Sequence, residues 1–367
     1  MKWSKNGNLP KLVAFFGIAM VLTCTVVYAT AGLSWHTDSD SGNNGKTEDE
    51  LSNGEFDTNN DFIQAIKPIP EYLHYITGLE TTAEESFRKP ICITSNAASP
   101  IFGISSSYLV FEIPIENEQT RFLSYYDQNA LAGKIGALSP TRGSISNLVS
   151  YFGGILIANG NDGYINTESS LHDNDYIDIS QNNGYYYTEK DSDSYTNNYL
   201  IDALINNTKT SIIKTQSKDI PFIHNGYYDE KITGSKSAKY AGLFYSHTNT
   251  TELIYSDTSD KYTLYKNGSI LTDFSNNQKC EYDNVFILYA NSVTYETAEY
   301  TESIVDTTSG GSGLYLTNGT LTEIRWKVSD DGSLVFFGQS GEKLVANRGS
   351  TYISLFKSTD VKNTIIE

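Results

Sequence analysis

From about residue 240 onward the chain is interrupted by turn-forming pairs, and this punctuation limits its fold more than any other feature. Asn267-Gly268 and Asn318-Gly319 each separate two strand-like runs, and Asp331-Gly332 marks a third turn. Such pairs tolerate the left-handed backbone that two-residue hairpins demand, so the flanking runs should return on themselves as antiparallel strands. Gly242-Leu243-Phe244-Tyr245, Tyr262 to Tyr265 and Asn284 to Tyr289 read as strands. So do Leu314 to Leu316, Leu321 to Val328, Ser333 to Phe337 and Tyr352 to Phe356. With turns roughly every 8–12 residues, residues 236–362 are expected to form a meander, a smaller and mainly antiparallel β domain.

The preceding part reads differently. Ile91-Cys92-Ile93, Tyr108 to Ile113, Arg121 to Tyr126 and the wholly apolar Ile155 to Ala158 have strand character. Ser144 to Tyr151 has helical spacing, with Ile145, Leu148 and Phe152 on one face, and Asn197 to Asn206 reads as a second helix. The polar stretch from Asn159 to Ser194 reads as loops. Strand, helix and strand in this order predict a mixed α/β sheet domain over residues 67–230. The expected fold class is therefore α+β or α/β: a mixed sheet domain, then a β domain, preceded by one transmembrane or signal helix.

That helix is the uncharged run at residues 12–34, which follows a lysine-bearing n-region at residues 1–11. As a helix, Leu12 to Leu33 would extend about 33 Å, enough to cross a bilayer core. Lysines before it and carboxylates after it favour an orientation with the bulk of the chain outside. Residues 35–66, rich in Gly, Asn, Ser and acids, read as a disordered linker. Three fates of the run are open: retention as a single-pass anchor, cleavage near Ala31 with secretion, or lipid attachment at Cys24. Lipidation fits least well, because Thr23 stands where a very small residue is expected and apolar residues continue past Cys24. All three place the same domains outside the membrane.

A formal charge of −18 argues against nucleic-acid binding, since such a surface repels phosphate backbones. Abundant Asn, Lys, Ile and Tyr with little Arg suits an AT-rich genome such as that of a Gram-positive anaerobe. The 27 tyrosines fit strands with one wettable end. Outside the apolar run only Cys92 and Cys280 occur, and an exported chain could either bridge them or bury both as thiols.

Catalytic patterns are weak. Ser211-Ile212-Ile213-Lys214 and Ser340-Gly341-Glu342-Lys343 match the Ser-x-x-Lys core of penicillin-binding enzymes, but neither has a Lys-Thr-Gly partner. His172 with Asp173 and Asp175, and Asp162 in a Gly/Asn turn, lack the spacing of a calcium loop, so neither a metal nor a cofactor is expected. The remaining candidates are Arg121 and Arg142, two of few arginines, beside Glu112. They could hold a carboxylate or phosphate, or Glu112 could pair with one Arg and pin a sheet edge.

Several segments, in order, resemble the YerB-like lipoprotein family. Ile76-Thr77-Gly78-Leu79, Arg88-Lys89-Pro90, Phe111-Glu112 and Thr120-Arg121-Phe122 are similar to its N-terminal domain. So are Ile135-Gly136 and Arg142 ahead of a helix, and Asn198 before the next helix resembles an Asn that the family carries there. Gly311 to Tyr315, Asn318-Gly319, Trp326 and Gly349 to Tyr352 follow the order of its β-rich C-terminal domain. The chain departs from the pattern at Ser139, where the family has Arg, and at Ala158 and Asn197, where His is common. It also lacks the family's His after Lys266-Asn267-Gly268. The family has no established reaction, so the resemblance implies a compartment and a fold. Glu112, Arg121, Arg142 and Asn198 become the candidate ligand-binding set, with no catalytic residue assigned. The expected function is a membrane-tethered, extracytoplasmic, non-catalytic binding or regulatory module linked to cell-wall synthesis, with a cell-wall or membrane protein as partner. The alternative is a wall hydrolase using carboxylates of the α/β domain. Oligomeric state is left open.

Overall fold

The computed structural model describes residues 68–160 apart from 84, 98, 99 and 132, then 175–181, 187–188, 194–197, 220–296, 301–330 and 332–367. The apolar run at 12–34 and its linker lie outside the described residues, as do Ser211, His172, Asp173, Asp162 and Asn198. Among the described residues no helix is long and apolar enough to cross a membrane. Residues 67–367 form one compact unit.

The first segment contributes β1 (Ile91–Asn96), β2 (Leu109–Pro114), β3 (Thr120–Tyr126), β4 (Lys134–Leu138), α1 (Gly143–Tyr151), β5 (Ile155–Ala158), β6 (Tyr176–Asp178), β7 (Tyr187–Thr188) and β8 (Ser194–Asn197). Next come β9 (Ile223–His224), β10 (Lys236–Ser237), β11 (Tyr240–Phe244), β12 (Thr250–Ser256), β13 (Lys261–Lys266), β14 (Ser269–Ile270) and β15 (Glu281–Tyr282). The last are β16 (Asn284–Ala290), β17 (Ser292–Glu296), β18 (Thr301–Val305), β19 (Gly310–Thr317), β20 (Thr320–Val328), β21 (Leu334–Phe337), β22 (Val345–Ala346), β23 (Thr351–Lys357) and β24 (Thr364–Ile366).

The four expected strands of the first segment and the helix at Ser144 to Tyr151 are all present. So are the hairpins at Asn267-Gly268 (φ 51° and 76°) and Asn318-Gly319 (φ 50° and 68°), whose positive φ angles select Asn and Gly. Three expectations change. The protein is mostly β, with α1 the one α-helix among the described residues. Asn197, predicted to open a second helix, instead ends strand β8, while the rest of that expected helix, residues 198–206, lies outside the described residues; β6 and β7 lie in the stretch read as loops. The C-terminal strands are not a pure meander, because β16 and β23 pair in parallel.

One large sheet runs β10-β20-β19-β16-β23-β2-β3-β1-β4-β8-β7, with β21 beside β20, β5 beside β1 and β6 beside β5. Its centre joins the two segments: β23, from near the C-terminus, lies parallel to β2 on one side and to β16 on the other. Strands buried on both faces read as continuous apolar runs, which is why Leu109 to Ile113 and Asn284 to Ala290 show little alternation. On one face α1 packs Ile145, Leu148 and Val149 into a core with Phe111, Leu123, Phe286 and Ile353. On the other face a second sheet, β14-β13-β12-β11-β24, closes over Val110, Phe122, Val285 and Tyr352.

The two cysteines lie in the cores on opposite faces of the large sheet. Cys92 sits in the α1-side core and Cys280 in the core under the second sheet, each a buried free thiol. Of the two readings open from sequence, the buried thiols are the one found. Burial, with Asp273 and Glu281 nearby, pushes the Cys280 thiol up to about 12.

Candidate functional site

Strand β1 forks. Its first half, Ile91 to Ile93, pairs in parallel with Ile155 to Ile157 of β5, whereas Ser95 pairs with Leu138 of β4. The chain leaving β4 therefore meets the chain leaving β5 at the end of β1. Ser139 is held there by three bonds: its N–H donates to Thr94 O (3.0 Å), and its carbonyl accepts from Thr94 Oγ1 (2.6 Å) and Asn159 N (3.2 Å). Thr141 N donates to Gly160 O (3.0 Å), and Gly160 N donates to Asp178 Oδ1 (2.9 Å). The fork lies at the carboxyl ends of the parallel strands β1, β5 and β6, beside the start of α1. In open sheets with helical crossovers, that is where ligands commonly bind.

Two predicted residues come together at this fork. Arg121, the second residue of β3, stands opposite Asn96 and donates from an Nη to Pro140 O at 2.6 Å. Arg142, directly before α1, pairs with Glu116 in the β2–β3 turn. Both guanidinium groups thus brace the segment from Ser139 to Arg142. Ser139 and Ala158, where the chain departs from the family pattern, lie at the same place, and the buried Ser139 hydroxyl has no hydrogen-bond partner.

Glu112 does not belong to the fork. It stands opposite Phe122 in the β2–β3 ladder, and Phe122 faces the second sheet while its neighbours Leu123 and Arg121 alternate toward α1. Glu112 and the arginines are therefore on opposite faces, and the expected Glu–Arg pairing gives way to a different one. The fully buried Glu112 carboxylate accepts from Lys266 Nζ (2.5 Å) and Thr120 Oγ1 (2.7 Å) at one oxygen. Thr251 Oγ1 (2.8 Å) and Tyr352 Oη donate to the other. Burial opposes its ionisation, but the Lys266 ammonium and the hydroxyl donors outweigh it and hold Glu112 below the usual carboxylate range. Sequence reasoning missed these partners. Lys266 borders a hairpin and reads as a solvated turn residue, although it is itself buried.

The other motifs are also placed. Ser340 lies in a turn after β21, and its hydroxyl donates to Glu342. Asp175 forms an ion pair with Lys89 at 2.7 Å. Among the described residues, no three His, Cys, Asp or Glu side chains are grouped to hold a metal ion.

These features define a class: a mainly β protein whose two segments share one sheet, with a forked strand braced by arginines beside its one described α-helix. Residues 76–214 match the N-terminal domain, and residues 241–353 the C-terminal domain, of the family described as protein of unknown function DUF3048. The chain belongs to this YerB-like family. The crystal structure of the YerB protein from Bacillus subtilis has a similar fold, with a TM-score of 0.68 and 21% identity, over 81% of this chain and 100% of that one. No curated protein matches the chain.

Proposed function

We propose that this protein is an extracytoplasmic binding or regulatory module, held at the membrane by residues 12–34 and linked to cell-wall synthesis. The observation that carries the non-catalytic part is the state of Glu112. A hydrolase of this kind needs a carboxylate exposed to substrate, with a second acid within reach. Glu112, the carboxylate of the α/β segment named in the candidate ligand-binding set, is enclosed between two sheets and held by four donors. At the fork, Glu116 is engaged by Arg142 and Asp178 by backbone and hydroxyl donors. The compartment rests on the lysine-flanked apolar run and its acidic linker.

The test uses the full chain in detergent and purified cell-wall sacculi. Retention on the sacculi without release of new reducing ends or free amines supports the reading. Release of either overturns it. Protease treatment of intact cells should remove residues 67–367, and their protection would overturn the external placement.

A further inference from the structure

Strand β20 alternates sharply: Ile324 and Trp326 point into the core, while Glu323, Arg325 and Lys327 point outward. β21 follows the same rule, with Phe336 buried and Phe337 on the outer face, opposite Arg325. Where these strands meet the turn after β21, they enclose a concave site of about 370 Å³. Arg325, Lys327, Phe337 and Gln339 line it, together with Trp326 and Gly311.

Three properties single this site out. Its two cations are exposed in a chain of net charge −18, yet among the described residues neither forms a salt bridge. The neighbouring Glu323 is taken by Lys236 (2.8 Å), and Glu342 accepts from Ser340. An aromatic ring lies beside one of the cations, the Lys327 ammonium being 5.4 Å from the centre of Phe337, whose cross-strand neighbour is Arg325. The exposed Gln339 adds an amide that both donates and accepts.

We propose that this site binds an anionic saccharide, a sugar ring bearing a carboxylate. The C–H face of the ring would lie on Phe337. The planar guanidinium of Arg325 grips the carboxylate through paired N–H donors, and Lys327 adds a mobile point charge. Gln339 reads a hydroxyl or acetamido group. The outward pair of cations gives selectivity over a neutral sugar, which would leave both charges unanswered. This deepens the proposed function and rests on its wall-facing compartment.

The probe is N-acetylmuramic acid, compared with neutral N-acetylglucosamine by saturation-transfer NMR on the full chain in detergent. The acid is expected to bind at least about tenfold more tightly, because charge-assisted bonds to its carboxylate are absent from the neutral sugar. R325Q and K327Q should each remove most of that preference, and F337A should weaken both sugars together. Melting curves of the glutamine variants should match the parent, since both side chains are exposed. Equal binding of the two sugars, no binding of the acid, or full binding by R325Q overturns the proposal. Sacculus retention that persists with no binding of the acid would locate the failure in this site and leave the proposed function standing.

Discussion

The Glu112–Lys266 cluster and the outer face of β20 use the same kinds of residue to opposite ends. In the first, a carboxylate and an ammonium are buried between sheets with every carboxylate oxygen answered twice. In the second, two cations stand in solvent beside an aromatic ring with no carboxylate attached. The difference lies in what surrounds the charge. Buried charge that is fully paired acts as a joint, and here it ties β2 of the first segment to β12, β13 and β23 of the second. Exposed charge without a counter-ion costs the fold little and is available to a ligand.

That contrast can be broken by mutation. The largest effect is expected at the joint: Lys266→Met leaves the Glu112 charge buried without its counter-ion and should cost about 3–5 kcal/mol in urea unfolding. The double variant E112L/K266M should recover most of that loss, because well-packed apolar pairs often replace buried ion pairs at little cost. A single-variant loss below about 1 kcal/mol would show that the pair is not the joint described.

Next is Asp273, whose buried carboxylate accepts from the N–H groups of Gly103, Ser105 and Ser275 and from both serine hydroxyls. Burial opposes its ionisation, but the hydrogen bonds from Ser275 and Ser105 outweigh it and hold the carboxyl below the usual carboxylate range. D273A strands these donors and should cost about 2–3 kcal/mol, measured in the same way.

Acid provides a third test. A carboxylate held low in the fold stabilises it above the unfolded-state value, about 4.3 for Glu, and loses that contribution as pH falls through the lower folded value. The stability gap between the parent and E112L/K266M should be level from neutral pH to about 5 and shift against the parent below about 4. A gap unchanged in acid would remove the ionised carboxylate from the account. The smallest effect belongs to the outer face, where R325Q and K327Q should each change stability by less than about 0.5 kcal/mol. A larger loss would mean that those cations hold the fold and are not spare.

Local structure was legible where the cause was local. The Asn-Gly pairs announced their hairpins because few other residues accept two successive left-handed conformations. Ile145, Leu148 and Phe152 announced the buried face of α1 by their spacing, and all three are buried. Partnership across long separations was not legible. Leu109 to Ile113 could pair with any apolar strand, and nothing in its own residues points to Thr351 to Ser354. For the same reason Glu112 looked like a site residue: its answering charge lies far along the chain. The fork was half legible. Arg121 and Arg142 were singled out by rarity and do meet at Pro140 and its neighbours, whereas placing Glu112 with them required knowing which face each residue occupied.

The position of β23 has a consequence for how the chain is made. Synthesis runs from the N-terminus, so β2 and β16 are both complete before Thr351 to Lys357, the strand that lies between them, has been added. Until then each presents an open edge to solvent, and open edges invite pairing with other chains. The two segments close around a strand made after both of them, so the sheet becomes continuous only once β23 is in place. That order makes the centre of the sheet, and with it the union of the two segments, depend on the last-made of its three strands.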